Sequence, residues 1–195
     1  MSDEDDFEAK RRAQEYLILL VLGAVPDKKL SMLHLEKEVF LLWNFHPSIP
    51  KFIQFVAYQR GPYAESIRDS IISPYYLTEA WEYLRPRSAG DLTGGFVRLT
   101  IKGKRTYQAY YQTVFQQEKM RPLLAGIRIV RTIYDDLTPE ELLLLIYDAY
   151  PDFRIKSAVA KEIDNKREKL TAQLLRRGKV TTEKAAELRQ ASWYA

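Results

Sequence analysis

Arg60, Tyr63, Ser66 and Arg68 surround a Gly61-Pro62 step. An arginine can give paired hydrogen bonds to guanine, and tyrosine or serine hydroxyls can hold phosphate oxygens. A second set, Arg85, Arg87 and Arg98, borders the glycine-rich run RPRSAGDLTGG. Three arginines around such a tip suit phosphate or minor-groove contact. A third set, Lys102, Lys104 and Arg105, falls where a helix should begin, and positive charge there opposes the helix dipole. Together the eight cations among these ten residues could neutralise the backbone of a duplex. Each set also has a plainer reading. Arginine decorates any exposed hairpin, an ordinary amphipathic helix carries a charged outer face, and Asp69 would repel phosphate unless it pairs with Arg68 or accepts from cytosine.

Other chemistries find little support. The chain has no cysteine, which excludes disulfides, thiolate metal sites and cysteine nucleophiles. His34 and His46 are the only histidines, and neither belongs to a ligand-spaced set. No GxSxG, phosphate-binding loop or dinucleotide fingerprint occurs. The Glu140-Glu141 pair reads as helix-start charge. The expectation is a non-enzyme without catalytic residues, metal or cofactor. A net charge of +4 permits a nucleic-acid partner without requiring one. The N-terminus lacks a secretion signal, and the longest apolar stretch, residues 16–25, is too short for a bilayer. A cytoplasmic protein that does not enter membranes is expected.

The elements that must position the basic residues follow from periodicity. Residues 1–7 read as a disordered acidic leader. A helix is expected over residues 8–25, with Ala13, Leu17, Leu20 and Ala24 inward. Ser31 caps a second helix whose outer face shows Glu36, Lys37 and Glu38. Residues 52–58 alternate like a strand, and Gly61-Pro62 opens a third helix with Pro62 as its first residue. Residues 75–83 read as a short helix or a helix passing into a strand. Residues 82–85 and 96–99 form a hairpin, and Thr100 caps a helix to about residue 118 with Tyr107, Tyr110, Tyr111, Val114 and Phe115 inward. Further helices are expected over residues 121–136, from Thr138-Pro139 to Pro151, and over 153–175. A last one, capped by Thr181 or Thr182, runs through Leu188. Residues 153–190 hold 11 Lys or Arg against 5 Asp or Glu.

Helix, helix, turn, helix, hairpin, helix is the order of a winged helix-turn-helix. The fold expected is mainly α with a small β-hairpin wing. A winged helix over residues 8–120 would be followed by a C-terminal helical extension over 121–195, for dimerisation or partner binding.

The stretches YQRGPYAESI and VRLTIKGK resemble prokaryotic winged-helix transcriptional regulators, which carry an aromatic-x-x-Gly-Pro-aromatic step and a later Leu-Thr-x-x-Gly-Lys. Some of these are related to the Panacea antitoxin-like domain. LTPEELLLLIYDAYPDFRIKS resembles the tail many of them carry, so the likeness spans residues 15–157. LTAQLLRRGKVTTEKAAEL is similar to a helix-turn-helix segment of small antitoxin-like proteins, through Leu175, Gly178, Lys179, Thr181, Ala185 and Ala186. The resemblance implies a sequence-specific, homodimeric regulator bound to double-stranded DNA. The competing expectation is a winged-helix protein–protein module of antitoxin-like or complex-assembly type, favoured by Asp69, the modest charge and the many tyrosines.

Overall fold

The computed structural model describes residues 3–190 and divides the chain into two compact units. The first comprises residues up to 55 and 64–135. The second comprises residues 56–63 and 136 onward. The chain is mainly helical, with small antiparallel sheets. The boundary expected at residue 120 has no counterpart in this division, because the helix at 121–134 belongs to the first unit.

In the first unit, α1 (Asp3–Gly23) begins well before the expected start at residue 8. Met1 and Ser2, also assigned to the leader, lie outside the described residues. Acidic residues in a first turn favour a helix N-terminus, so Glu4 to Asp6 support the helix where a disordered leader was expected. Its second half, Leu17 to Leu22, is buried all round. β1 (Leu30–Ser31) leads into α2 (Met32–Phe45), whose first turn is closed by the His34 N–H donating to Ser31 Oγ at 3.1 Å. α3 (Glu65–Ile72) follows later in the chain, then β4 (Trp81–Leu84) and β5 (Phe96–Leu99). These strands form an antiparallel sheet in the order β1-β5-β4, with Leu30 opposite Val97 and Trp81 opposite Leu99. α4 (Ile101–Phe115) and α5 (Arg121–Tyr134) complete the unit.

Several expectations change here. Residues 73–80 form turns and bends, with no helix. α4 stops at Phe115, which is exposed and stacks on Tyr111 at 5.7 Å instead of turning inward. Glu36, Lys37 and Glu38, expected on the outer face of α2, are all buried. α2 is enclosed on nearly every side, so its helical period could not mark an exposed face.

The second unit holds a hairpin of β2 (Val56–Tyr58) and β3 (Gly61–Tyr63), with Tyr58 opposite Gly61 and Ala57 opposite Pro62. Pro62 therefore sits in a strand and does not open a helix. Gly61 has φ +84°, which lets the chain double back after Gln59-Arg60. Pro62 is next to the closing pair, a position whose N–H is not used in the antiparallel alternation. α6 (Pro139–Ala149) starts with a full capping box: the Glu141 N–H donates to Thr138 Oγ1 and the Thr138 N–H to Glu141 Oε2, at 3.2 and 2.8 Å. The helix expected over 153–175 is broken. A 3-10 turn (Pro151–Arg154) precedes α7 (Ala160–Asn165) and α8 (Arg167–Arg176). Ser157 explains part of the break, since its Oγ meets Tyr147 Oη at 2.6 Å and accepts from the Val159 N–H at 3.2 Å, favouring a turn. Gly178, at φ +65°, ends α8, and Thr181 accepts from the Lys184 N–H to start α9 (Thr182–Gln190).

Candidate functional site

The ten expected DNA-facing residues do not share one element or one unit. Arg60 and Tyr63 lie in the β2–β3 hairpin of the second unit, where Tyr63 packs on Tyr58 with ring centroids 4.9 Å apart. Ser66 and Arg68 lie on α3 in the first. Ser66 is half-buried, and its carbonyl accepts from Ser70 Oγ at 2.8 Å. The exposed positions of α3 are Glu65, Arg68, Asp69 and Ile72, so acid outnumbers base on its outer face.

The cations around β4–β5 divide into two groups. Arg98 pairs with Glu82, Lys102 with Glu79, and Lys104 with Asp27 at 2.5 Å. These are exposed, solvent-screened pairs, and they lower the positive field rather than anchor the fold. Arg85, Arg87 and Arg105 are exposed and make no ion pair among the described residues. The basic surplus of the C-terminal stretch is also largely paired within its own unit. Arg177 reaches Glu141 at 2.8 Å, Lys184 reaches Asp148 at 2.7 Å, and Arg189 reaches Glu168 at 2.9 Å. Lys179 lies 2.7 Å from Asp136, and its hydrogen bond is the main reason that carboxyl sits below the usual range.

The Leu-Thr-x-x-Gly-Lys step has a structural explanation. The Gly103 N–H donates to Thr100 Oγ1 at 3.0 Å, and the Thr100 N–H donates to the Ala80 carbonyl at 3.0 Å. A Cβ on Gly103 would lie 1.7 Å from that carbonyl oxygen. Glycine is what lets α4 approach the chain entering β4. Gly103→Ala is expected to destabilise the protein by about 2–3 kcal/mol, read from chemical denaturation. An unchanged midpoint would show that the approach is dispensable.

A concave surface stands out between α1 and α3 of the first unit. It encloses about 490 Å³ and is lined by Phe7, Ile72, Tyr75 and Tyr76, with Glu4, Glu8, Arg11 and Asp69 beside them. Phe7 and Tyr75 are exposed at 68% and 67%, unusual for such large apolar groups lying together. Arg11 Nη2 donates to the carbonyls of Asp69 and Ser73, at 3.0 and 2.6 Å, so its charge is tied to the end of α3. Arg12 lies over the Tyr76 ring, 4.7 Å from its centroid.

Residue types alone gave no sign of the group that builds this surface. Glu15 is fully buried in α1. It accepts the backbone N–H groups of Tyr75, Tyr76 and Leu77 at 2.6, 2.8 and 2.8 Å, and Arg11 Nε at 3.3 Å. Without that carboxylate the turn after α3 would have three unsatisfied donors. The only sequence signal was a carboxylate at the edge of a helix half that is otherwise apolar.

Among the described residues no cluster of His, Asp or Glu is arranged to hold a metal ion, and no helix is long and apolar enough to cross a membrane. No protein-family model matches the chain, and no curated protein matches it.

Proposed function

We propose that the first unit is a winged helix that serves as a protein-binding module, docking a basic amphipathic segment of a partner between α1 and α3. The element order α1-β1-α2-α3-β4-β5, with β1 added to the edge of the β4–β5 wing, supports the winged-helix reading. The apolar groove with an acidic rim carries the functional reading. Phe7, Ile72 and Tyr75 offer anchoring contacts, while Glu4, Glu8 and Asp69 favour lysine or arginine flanks. The same acids disfavour a duplex against α3, since phosphate binding draws its affinity from unpaired cations.

The test uses a fluorescent peptide with leucines at helical i, i+3/i+4 and i+7 positions and lysine flanks, next to a glutamate-flanked twin. The basic peptide is expected to bind, more weakly at high salt, and the acidic twin to fail. Ile72→Lys should weaken binding by roughly tenfold without lowering the melting temperature, because Ile72 is already 47% exposed. Equal binding of both peptides, or binding indifferent to Ile72→Lys, rules the groove out.

One observation favours a second reading, a DNA-binding transcriptional regulator. Arg85 and Arg87 stand exposed beside the wing without ion pairs among the described residues. In that case a duplex should be retarded at low salt and released as salt rises, and Arg85→Ala should weaken it without affecting stability.

A further inference from the structure

The α1–α3 groove sets carboxylate beside hydrocarbon on both of its helices. α1 presents Glu4, Phe7, Glu8 and Arg11 to it, the i, i+3, i+4 and i+7 positions of one helical face. α3 presents Asp69 and Ile72, three residues apart. Among the described residues that line the groove, Arg11 is the one cation, and its charge is already engaged. Its Nε lies 3.3 Å from Glu15 Oε1, and its Nη2 donates to the carbonyls of Asp69 and Ser73. Glu4, Glu8 and Asp69 make no ion pair among the described residues. The aromatic side is equally available. Tyr75 and Tyr76 meet edge to face, with centroids 4.9 Å apart and planes at 76°. Tyr76 already carries the guanidinium of Arg12, 4.7 Å from its centroid. Tyr75 is exposed and has no cation over it among the described residues.

We propose that Tyr75 seats an arginine of the docked segment and makes the groove select arginine over lysine, an inference that rests on the docking reading above. The three carboxylates alone ask only for positive charge. The ring is what separates two side chains of equal charge. Its face attracts a cation through the quadrupole. A planar, weakly hydrated guanidinium stacks there, whereas a compact ammonium holds its water more strongly. A stacked guanidinium keeps its N–H groups in plane and directed outward, so it serves the ring and a carboxylate together. Glu4, Glu8 and Asp69 are the carboxylates in the same groove. Arg12 over Tyr76 is the same contact made internally on the adjacent ring. Ile72 is left to anchor the apolar side of the segment, so charge and anchor are read by different side chains.

Two fluorescent peptides test this on the full chain. Both carry leucines at i, i+3/i+4 and i+7; one is flanked by arginines, the other by the same number of lysines. The arginine peptide is expected to bind roughly fivefold more tightly, the range of a cation–π contact at an exposed site. Tyr75→Leu removes the ring but keeps an apolar side chain and the backbone N–H that Glu15 accepts. It should abolish the difference and leave the affinity of the lysine peptide little changed. Tyr75→Phe keeps the ring and should keep the difference, which separates stacking from a hydrogen bond to the hydroxyl. Because Tyr75 is exposed, neither variant should lower the melting temperature. Equal affinities in the wild type, a preference that survives Tyr75→Leu, or one lost in Tyr75→Phe would each overturn the arginine seat while leaving the groove in place. Failure of both peptides to bind the wild type would remove the groove and the seat together.

Discussion

Replacing Glu15 with alanine is expected to cost about 4 kcal/mol of stability, in the range for removing one member of a buried, charge-assisted set. The cost is local in origin. Three consecutive N–H groups, those of Tyr75, Tyr76 and Leu77, converge on the two carboxylate oxygens, and Arg11 completes the set. Alanine leaves these donors and Arg11 Nε without that acceptor. Glutamine keeps an oxygen but adds an N–H₂ that cannot accept, so Glu15→Gln should recover only part of the loss. Because residues 73–77 carry Tyr75 and Tyr76, the same change should loosen one wall of the α1–α3 groove. Amide hydrogen exchange should show residues 73–77 losing protection first and most, with denaturation giving the overall loss. Exchange that rises evenly across the first unit would show that Glu15 supports the core in general rather than this turn.

Caps and sheet punctuation were legible in the sequence because they are decided within three or four residues. Ser31, Thr100 and Thr138 all cap the helices expected of them, and residues 82–85 and 96–99 pair as strands within a residue of their expected ends. What failed was decided by distant partners. Glu38 is buried because Arg131, 93 residues later, meets it, and no local pattern marks α2 as enclosed. Glu15 is placed by a turn some 60 residues away. Pro62 had the right φ for two roles, a first helical residue or a strand position needing no N–H, and Gly61 at positive φ selected the second. The eight basic candidates were legible as residue types, but their pairing was not. Glu79, Glu82 and Asp27 come from neighbouring strands and loops, and they decide which charges remain available to a ligand.

Glu38 should make the protein lose stability as pH rises through the weakly acidic range, by about 3 kcal/mol in all. Burial disfavours its charged form more than Arg131 and Lys28 favour it, with Asp135 adding repulsion, and the carboxyl is pushed up from 4.5 to about 7. Below pH 4.5 it is protonated in both the folded and the unfolded chain, and above about 7 it is ionised in both. Between those limits the folded state holds the extra proton, so each step upward in pH removes stability until the folded group has ionised. Glu38→Gln keeps the volume and cannot titrate. Other carboxylates contribute their own pH dependence, but that part is common to both proteins and cancels in the difference. Denaturation of each at pH 5 and pH 8 should therefore show the variant gaining about 2.5 kcal/mol on the wild type across the interval, whatever the offset at pH 5 from the lost pairing with Arg131. Parallel profiles would mean that Arg131 compensates the buried charge fully and that Glu38 is ionised throughout. A gain confined to low salt would instead trace the shift to exposed charges, since a pair this deeply buried is barely screened.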